Sequence, residues 1–190
     1  MTEFEKMIAG FAFDGGDESI NRVRDRAALL LAQLNKAAEE SRREVLYQEL
    51  FTQYGQGSII RSPFSCEFGQ TIKIGAKTFI NMNATFLDGA PITIGNHVLI
   101  GPNAQFYTAG HSLDYLSRRK WETFCKPIIV EDDVWIGGNV VINQGVTIGA
   151  RSVVAANSVV TKDLAADGLY GGTPAILIRR LDNQSTTSIE

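Results

Sequence analysis

The first third of the chain has the three-to-four-residue spacing of apolar positions that is typical of amphipathic helices. The positions that share this face are Ile20, Val23, Ala27, Leu30, Leu31 and Leu34. They predict a long helix capped by Ser19 and ending near Asn35. A second helix is predicted from Ala38 to Phe51, with Val45, Leu46, Leu50 and Phe51 facing inward, and a shorter one from Glu3 to Ala9. Together these helices form an N-terminal cap.

Beyond Phe64 the apolar spacing changes to six residues. The apolar positions are Ile74, Ile80, Phe86, Ile94, Ile100, Phe106, Val130, Ile136, Ile142, Ile148, Val154 and Val160. Small or branched residues follow four positions later, at Thr78, Ala84, Val98, Ala104, Val134, Val140, Val146, Ser152 and Ser158. Six is a multiple of the two-residue strand period but not of 3.6, so the repeat predicts short strands that present the same position inward. Strands of this kind, joined by turns, wind into a solenoid.

The six-residue register breaks at two places. Eight residues separate Phe86 from Ile94, which predicts that two residues are extruded near 88–91. Between Tyr107 and Pro127 the apolar period fails, which predicts a long projecting loop of the kind that often carries function. The expected organisation is therefore a helical cap over residues 1–60, a β-helix over 61–182 with the extruded loop 107–127, and a flexible tail over 183–190.

Composition places the chain among single soluble globular domains. It has 190 residues, of which 44% are hydrophobic and 21% charged, and no run of about 20 apolar residues predicts a membrane span. The acidic start lacks the order of a secretory signal, so a cytoplasmic location is expected. A net charge of -3 gives no general reason to bind nucleic acid. Cys66 and Cys125 are expected to be free thiols, and no metal signature is present.

Several short stretches carry a more specific pattern than the repeat. They are Met7-Ile8-Ala9-Gly10 with Phe13-Asp14, Pro63-Phe64-Ser65-Cys66-Glu67-Phe68-Gly69, Asn81-Met82-Asn83, Thr108-Ala109-Gly110-His111, Val134-Trp135-Ile136-Gly137-Gly138, Val160-Thr161-Lys162-Asp163 and Gly172-Thr173-Pro174-Ala175. Over residues 3 to 182 the sequence resembles the maltose and galactoside O-acetyltransferase family of hexapeptide-repeat acyltransferases. The resemblance implies a mainly β fold, a left-handed parallel β-helix. It also implies a homotrimer with active sites between subunits, and acetyl-CoA as co-substrate.

Acetyl transfer from a thioester to an alcohol requires a base for the hydroxyl proton and donors for the charge on the tetrahedral oxygen. Of the two histidines, His97 falls at a repeat turn and is expected to face solvent. His111 lies in the extruded loop, where the resemblance places the catalytic base, and an imidazole exchanges protons near neutral pH. The alternative is a loop histidine held only by packing.

The resemblance assigns roles to other residues around His111. Glu122 is expected to orient the imidazole, although it could instead be a solvated charge balancing the basic run 118–120. The backbone N–H of Gly138 is expected to hold the oxyanion, since glycine permits close approach of a ligand, although a β-helix corner also explains the adjacent Gly137. The residues expected to bind acetyl-CoA are Trp135, Gly138, Ala156, Thr161, Lys162 and Arg179. Packing is the alternative for the tryptophan, and surface charge for the two cations.

The acceptor pocket is expected to use polar side chains that bind hydroxyls. By resemblance these are Asp14, Glu67, Asn81, Asp88 and His111. Asn81 and Asp88 also suit turns for backbone reasons alone. Phe13, Glu67-Phe68 and Gly89 depart from residues frequent in the family, which bears on the acceptor and not on the acyl donor.

The sequence therefore predicts an acetyl-CoA-dependent O-acetyltransferase acting on a sugar such as maltose, glucose or a galactoside. One alternative keeps the chemistry and changes the acceptor to an antibiotic or another non-sugar hydroxyl. Another is a non-catalytic trimeric β-helix that binds a ligand. A γ-type carbonic anhydrase is excluded, because its zinc needs three histidines and this chain has two.

Overall fold

The computed structural model describes residues 1–182, so the predicted flexible tail lies outside the described residues. The N-terminal region forms three helices, α1 (Glu3–Ile8), α2 (Glu18–Leu34) and α3 (Glu40–Leu50). The cap of α2 is Asp17 and not the predicted Ser19, because the Asp17 carboxylate accepts from the Ser19 N–H at 2.8 Å. The inward orientation predicted for Val45 is wrong. Its side chain is half exposed, and the buried side of α3 consists of Leu46, Tyr47 and Leu50.

Most of the remaining chain forms a parallel β-helix with three strand columns. The first column contains β1 (Gln53–Tyr54), β4 (Ile72–Ile74), β7 (Ile92–Ile94), β12 (Ile128–Val130) and β15 (Thr147–Ile148). The second contains β2 (Ile59–Ile60), β5 (Phe79–Ile80), β8 (Leu99–Ile100), β13 (Trp135–Ile136), β16 (Val153–Val154) and β18 (Gly168–Gly171). The antiparallel β19 (Ile176–Arg180) joins the second column at its end. The third contains β3 (Phe64–Cys66), β6 (Ala84–Leu87), β9 (Gln105–Tyr107), β14 (Val141–Asn143) and β17 (Val159–Val160).

The predicted six-residue repeat is the core of this β-helix. All twelve of its apolar positions are at most 2% exposed. Stacking places like residues above one another, as in the aromatic column Phe64, Phe86 and Phe106, whose successive ring centroids lie 5.3 and 4.3 Å apart. The fold prediction is confirmed as a parallel β-helix, and its left-handed winding stays a prediction.

The helical cap docks on the first coil through polar and aromatic contacts. The Asn35 side chain both donates to the Phe64 carbonyl and accepts from the Phe64 N–H, each at 2.9 Å. The Tyr47 hydroxyl donates to the Ile60 carbonyl at 2.7 Å. Because these bonds join the ends of α2 and α3 to strands, the cap is fixed relative to the β-helix.

The two predicted breaks in the repeat have different structures. Residues 88–90 are not extruded as predicted; they are buried, because the Asp88 carboxylate bonds to the backbone of the coil below. The long insertion forms an antiparallel hairpin, β10 (Ala109–His111) with β11 (Thr123–Cys125), joined through α4 (Tyr115–Arg119). Across residues 1–182, none of the helices has the length and apolar character needed to span a bilayer.

Candidate active site

His111 ends the first strand of the hairpin and pairs with Thr123 on the second. Its Nδ1 lies 3.2 Å from the backbone oxygen of Glu122 and 3.3 Å from the Thr123 hydroxyl oxygen. A carbonyl oxygen can only accept, so this contact places the proton on Nδ1 and leaves Nε2 as the proton acceptor. Glu122 therefore contacts the imidazole through its main-chain carbonyl and not, as predicted, through its carboxylate. The side chain of Glu122 is exposed.

A cavity of ≈ 690 Å³ opens between this hairpin and the N-terminal cap. It brings together three of the predicted acceptor residues, Asp14, Glu67 and His111. Trp121 and Cys125 of the second half of the hairpin also line it, with Met7, Phe13 and Phe68 from the opposite side. Carboxylates, an imidazole and apolar rings around one space are the groups that a small polyol with an apolar face would contact.

The cavity also contains Arg24, which was not among the predicted site residues. Glu67 Oε1 accepts from Arg24 Nε at 3.1 Å and Nη2 at 3.0 Å, and the guanidinium carbon lies 5.3 Å from the centre of the Phe68 ring. Arg24 stands on α2 between Arg22 and Arg26, so no local pattern distinguishes it. Only the docking of α2 on the first coil brings it to Glu67.

Asp14 lies in the turn between α1 and α2. Its N–H donates to Glu3 Oε2 at 2.8 Å, and its own Oδ1 accepts from the Gly16 N–H at 2.9 Å. These bonds fix an exposed carboxylate at the rim of the cavity, where it can accept a hydrogen bond from a hydroxyl.

Asp88 does not contact the cavity, so its prediction as an acceptor-binding residue is wrong. The side chain is fully buried and accepts hydrogen bonds from neighbouring backbone and from Thr71. Burial raises the pKa of this carboxyl, and those hydrogen bonds oppose the shift. Its role in the structure is to hold the turn that carries Glu67.

A second space, a groove of ≈ 690 Å³, runs along the second strand column. It is lined by Trp135, Gly138 and Ala156, three of the residues expected to bind acetyl-CoA, and by Asn81. In one chain Asn81 and His111 line different spaces, so a pocket that contains both residues needs two copies of the chain, and the assignment of Asn81 to the acceptor stays a prediction. The groove and the cavity have no lining residue in common.

Neighbouring coils touch at the glycine corner that lines the groove. A Cβ on Gly137 would lie 2.5 Å from the Ala156 nitrogen. Within residues 1–182 the Gly138 N–H has no hydrogen-bond acceptor. An unpaired amide beside a half-exposed tryptophan can donate to an oxygen of a ligand in the groove.

The remaining predicted residues lie beyond this groove. Thr161 and Lys162 follow β17 and are exposed. Arg179 on β19 is also exposed and pairs with Leu169, which lines the groove. Neither Lys162 nor Arg179 lines the groove itself. Arg179 is adjacent to it, because its strand neighbour Leu169 is one of the lining residues.

Comparison with known proteins gives the same architecture. Residues 127–162 match the hexapeptide repeat of succinyl-transferase, and residues 6–55 match the maltose acetyltransferase hexapeptide capping motif. Galactoside O-acetyltransferase of Escherichia coli is 35% identical over 182 residues, covering 95% of this chain and 90% of that protein.

Two solved structures are similar over nearly the whole chain. A hexapeptide-repeat-containing acetyltransferase from Vibrio cholerae, complexed with acetyl coenzyme A, has a TM-score of 0.93 and 61% identity, covering 96% of this chain and 100% of that one. A maltose O-acetyltransferase from Clostridium difficile has a TM-score of 0.94 and 34% identity, covering 96% and 99%.

Proposed function

The chain belongs to the maltose and galactoside O-acetyltransferase family of hexapeptide-repeat acyltransferases, and from that premise we propose that it transfers acetyl from acetyl-CoA to a hydroxyl of a sugar or similar small polyol. In this proposal His111 is the general base. The observation that carries it is the position of the imidazole in a cavity that also presents Asp14 and Glu67. Both carboxylates accept hydrogen bonds, which is what hydroxyl groups offer.

The hydrogen bonding of His111 supports the role of base. With Nδ1 directed at the Glu122 carbonyl, Nε2 can take the acceptor hydroxyl proton as the oxygen attacks the thioester carbon. The oxyanion that forms is stabilised by the Gly138 N–H. When the carbon–sulfur bond breaks, the imidazolium returns the proton to the CoA sulfur, so the products are the acetyl ester and free thiol.

The separation of the cavity from the groove supports an active site between copies of the chain. In the second strand column the outward positions form a ladder in register, and its members are Ile59, Phe79, Leu99, Trp135, Val153 and Leu169. Several of these apolar side chains are exposed, and such patches mark interaction surfaces. We propose a homotrimer in which the His111 hairpin of one copy lies over the groove of its neighbour, so that base and oxyanion donor come from different copies.

The groove is then the site for acetyl-CoA. Trp135 and Ala156 border the pantetheine arm, with Thr161, Lys162 and Arg179 at the far end, where two cations suit phosphates. The cytoplasmic location predicted from the sequence stays a prediction.

The experiment is a screen of glucose, maltose, galactosides and amino sugars with acetyl-CoA, reporting free thiol. His111→Asn is expected to lower turnover by about 10²–10⁴, the usual worth of a positioned base, with acetyl-CoA binding unchanged. The matched control is His97→Asn, because His97 is an exposed turn residue with φ 55°, a conformation that asparagine tolerates. Near-normal turnover of His111→Asn would refute the assignment of His111 as the general base. Thiol release with non-sugar acceptors alone would refute the sugar assignment.

A further inference from the structure

The turn that carries Glu67 is held from the coil above by one buried carboxylate. Asp88 Oδ1 accepts from the backbone N–H groups of Glu67 at 2.7 Å and Phe68 at 3.0 Å. Its Oδ2 accepts from the Gly69 N–H at 2.8 Å and from the Thr71 hydroxyl at 2.6 Å. Four neutral donors thus surround a side chain that is 0% exposed, and three of them are successive amides of one turn.

The side chains of this turn point to different places. Phe68 packs into the cluster formed with Phe4, Met7 and Ile20, while Glu67 reaches the cavity and pairs with Arg24. Gly69 has φ +70°, the left-handed region that favours glycine. The conformation of the turn therefore decides whether the Glu67 carboxylate faces the cavity.

Leu87 and Ala90, on either side of Asp88, form hydrogen bonds with Thr108, the residue that precedes the first strand of the His111 hairpin. The Thr108 hydroxyl accepts from the Ala90 N–H at 3.0 Å and donates to the Leu87 carbonyl at 2.6 Å. The Thr108 carbonyl accepts from the Lys126 N–H at 2.9 Å, on the other arm of the hairpin. A continuous set of hydrogen bonds thus runs from the Glu67 turn through the Asp88 segment to the strand that ends in His111.

We infer that Asp88 is a positioning residue for acceptor recognition, holding the Glu67 turn in register with the His111 hairpin. The inference rests on the proposed function, because it assigns Glu67 to the acceptor and not to acetyl-CoA. Asp88 touches neither substrate and acts through Glu67. A carboxylate is required there, because an amide would direct its NH₂ at one of the backbone donors.

The test compares acceptor and acetyl-CoA kinetics in Asp88→Asn, using the acceptor with the highest turnover in the screen. The KM for the acceptor is expected to rise by roughly tenfold, the scale of one lost charge-assisted hydrogen bond, and the KM for acetyl-CoA to stay within about twofold. In a Glu67→Gln background, Asp88→Asn is expected to add little, because both changes remove the same contact. The matched control is Asp132→Asn, which removes another carboxylate that accepts a backbone N–H between coils.

Thr71→Val supplies a milder variant if Asp88→Asn does not fold, since it removes one donor and leaves the carboxylate; a smaller rise in acceptor KM, roughly threefold, is expected. Equal increases in both KM values, or additive effects of Asp88→Asn and Glu67→Gln, would overturn the inference. Absence of turnover with every polyol would instead overturn the proposed function. In that case hydrogen exchange still decides the positioning role. Amides of residues 67–69 are expected to exchange roughly tenfold faster in the variant, the same free-energy scale, and unchanged exchange would overturn it.

Discussion

Replacing Gly101 with alanine tests the oxyanion donor through the packing of two coils. A Cβ at Gly101 would lie 2.5 Å from the Gly138 nitrogen, 2.7 Å from the Gly137 carbonyl carbon and 2.9 Å from the Gly138 Cα. Ordinary contacts begin at 3.4 Å, so the new Cβ and the Gly138 nitrogen have to move apart by about 0.9 Å. All three atoms are backbone, so no side-chain rotation relieves the contact.

This variant is expected to change both the stability of the fold and the turnover. Overpacking of a close-packed site costs about 1–3 kcal/mol, which for a chain of this length lowers the melting temperature by roughly 2–12 °C. A displacement near 1 Å of a group that stabilises the transition state costs about 10² in turnover. Loss of turnover should therefore exceed anything that the modest loss of stability explains.

Gly75→Ala is the matched control. A Cβ at Gly75 would lie 2.4 Å from the carbonyl carbon and oxygen of Gly95, the same kind of coil contact at a corner that lines neither the groove nor the cavity. Thermal melting is expected to show similar losses in both variants, and thiol release at saturating substrates to fall only in Gly101→Ala. Equal turnover in the two variants would refute the placement of the oxyanion donor at Gly138.

Two further predictions concern coenzyme A and a buried thiol. The double variant Lys162→Ala, Arg179→Ala is expected to weaken CoA binding by roughly tenfold or more in a calorimetric titration, because each cation offers a charge-assisted hydrogen bond to a phosphate. An unchanged dissociation constant for CoA would show that neither residue binds it. Burial raises the pKa of Cys125 to about 11. At pH 8 its thiolate fraction is therefore about 10⁻³, against about 0.2 in the unfolded chain. Alkylation of native Cys125, followed by peptide mass spectrometry, should be about 10² slower than in denaturant and should accelerate as pH rises towards 11. Equally fast alkylation in both states would contradict this burial.

The candidate site was only partly predictable from sequence. Asp14, Glu67 and His111 were selected by resemblance, and the structure places them around one cavity. Arg24 was missed because its partner lies 43 residues away and is reached only when α2 docks on the first coil. Asp88 is assigned to the acceptor by resemblance, with a turn role as the open alternative, and the structure shows it buried against the turn that carries Glu67.

The residues of the β-helix core can be identified from the sequence without the structure. A side chain's direction in a strand alternates with every residue, so a six-residue period is sufficient to place twelve apolar residues on the inside, and all twelve are buried. The contacts between polar groups, in contrast, depend on how the coils and the hairpin pack. The Glu122 carbonyl reaches His111 because the hairpin closes, and Asp88 reaches the Glu67 turn because one coil stacks on the next. In each of these contacts one partner is a backbone group, which every residue carries. A pattern of side chains along the sequence therefore cannot predict them.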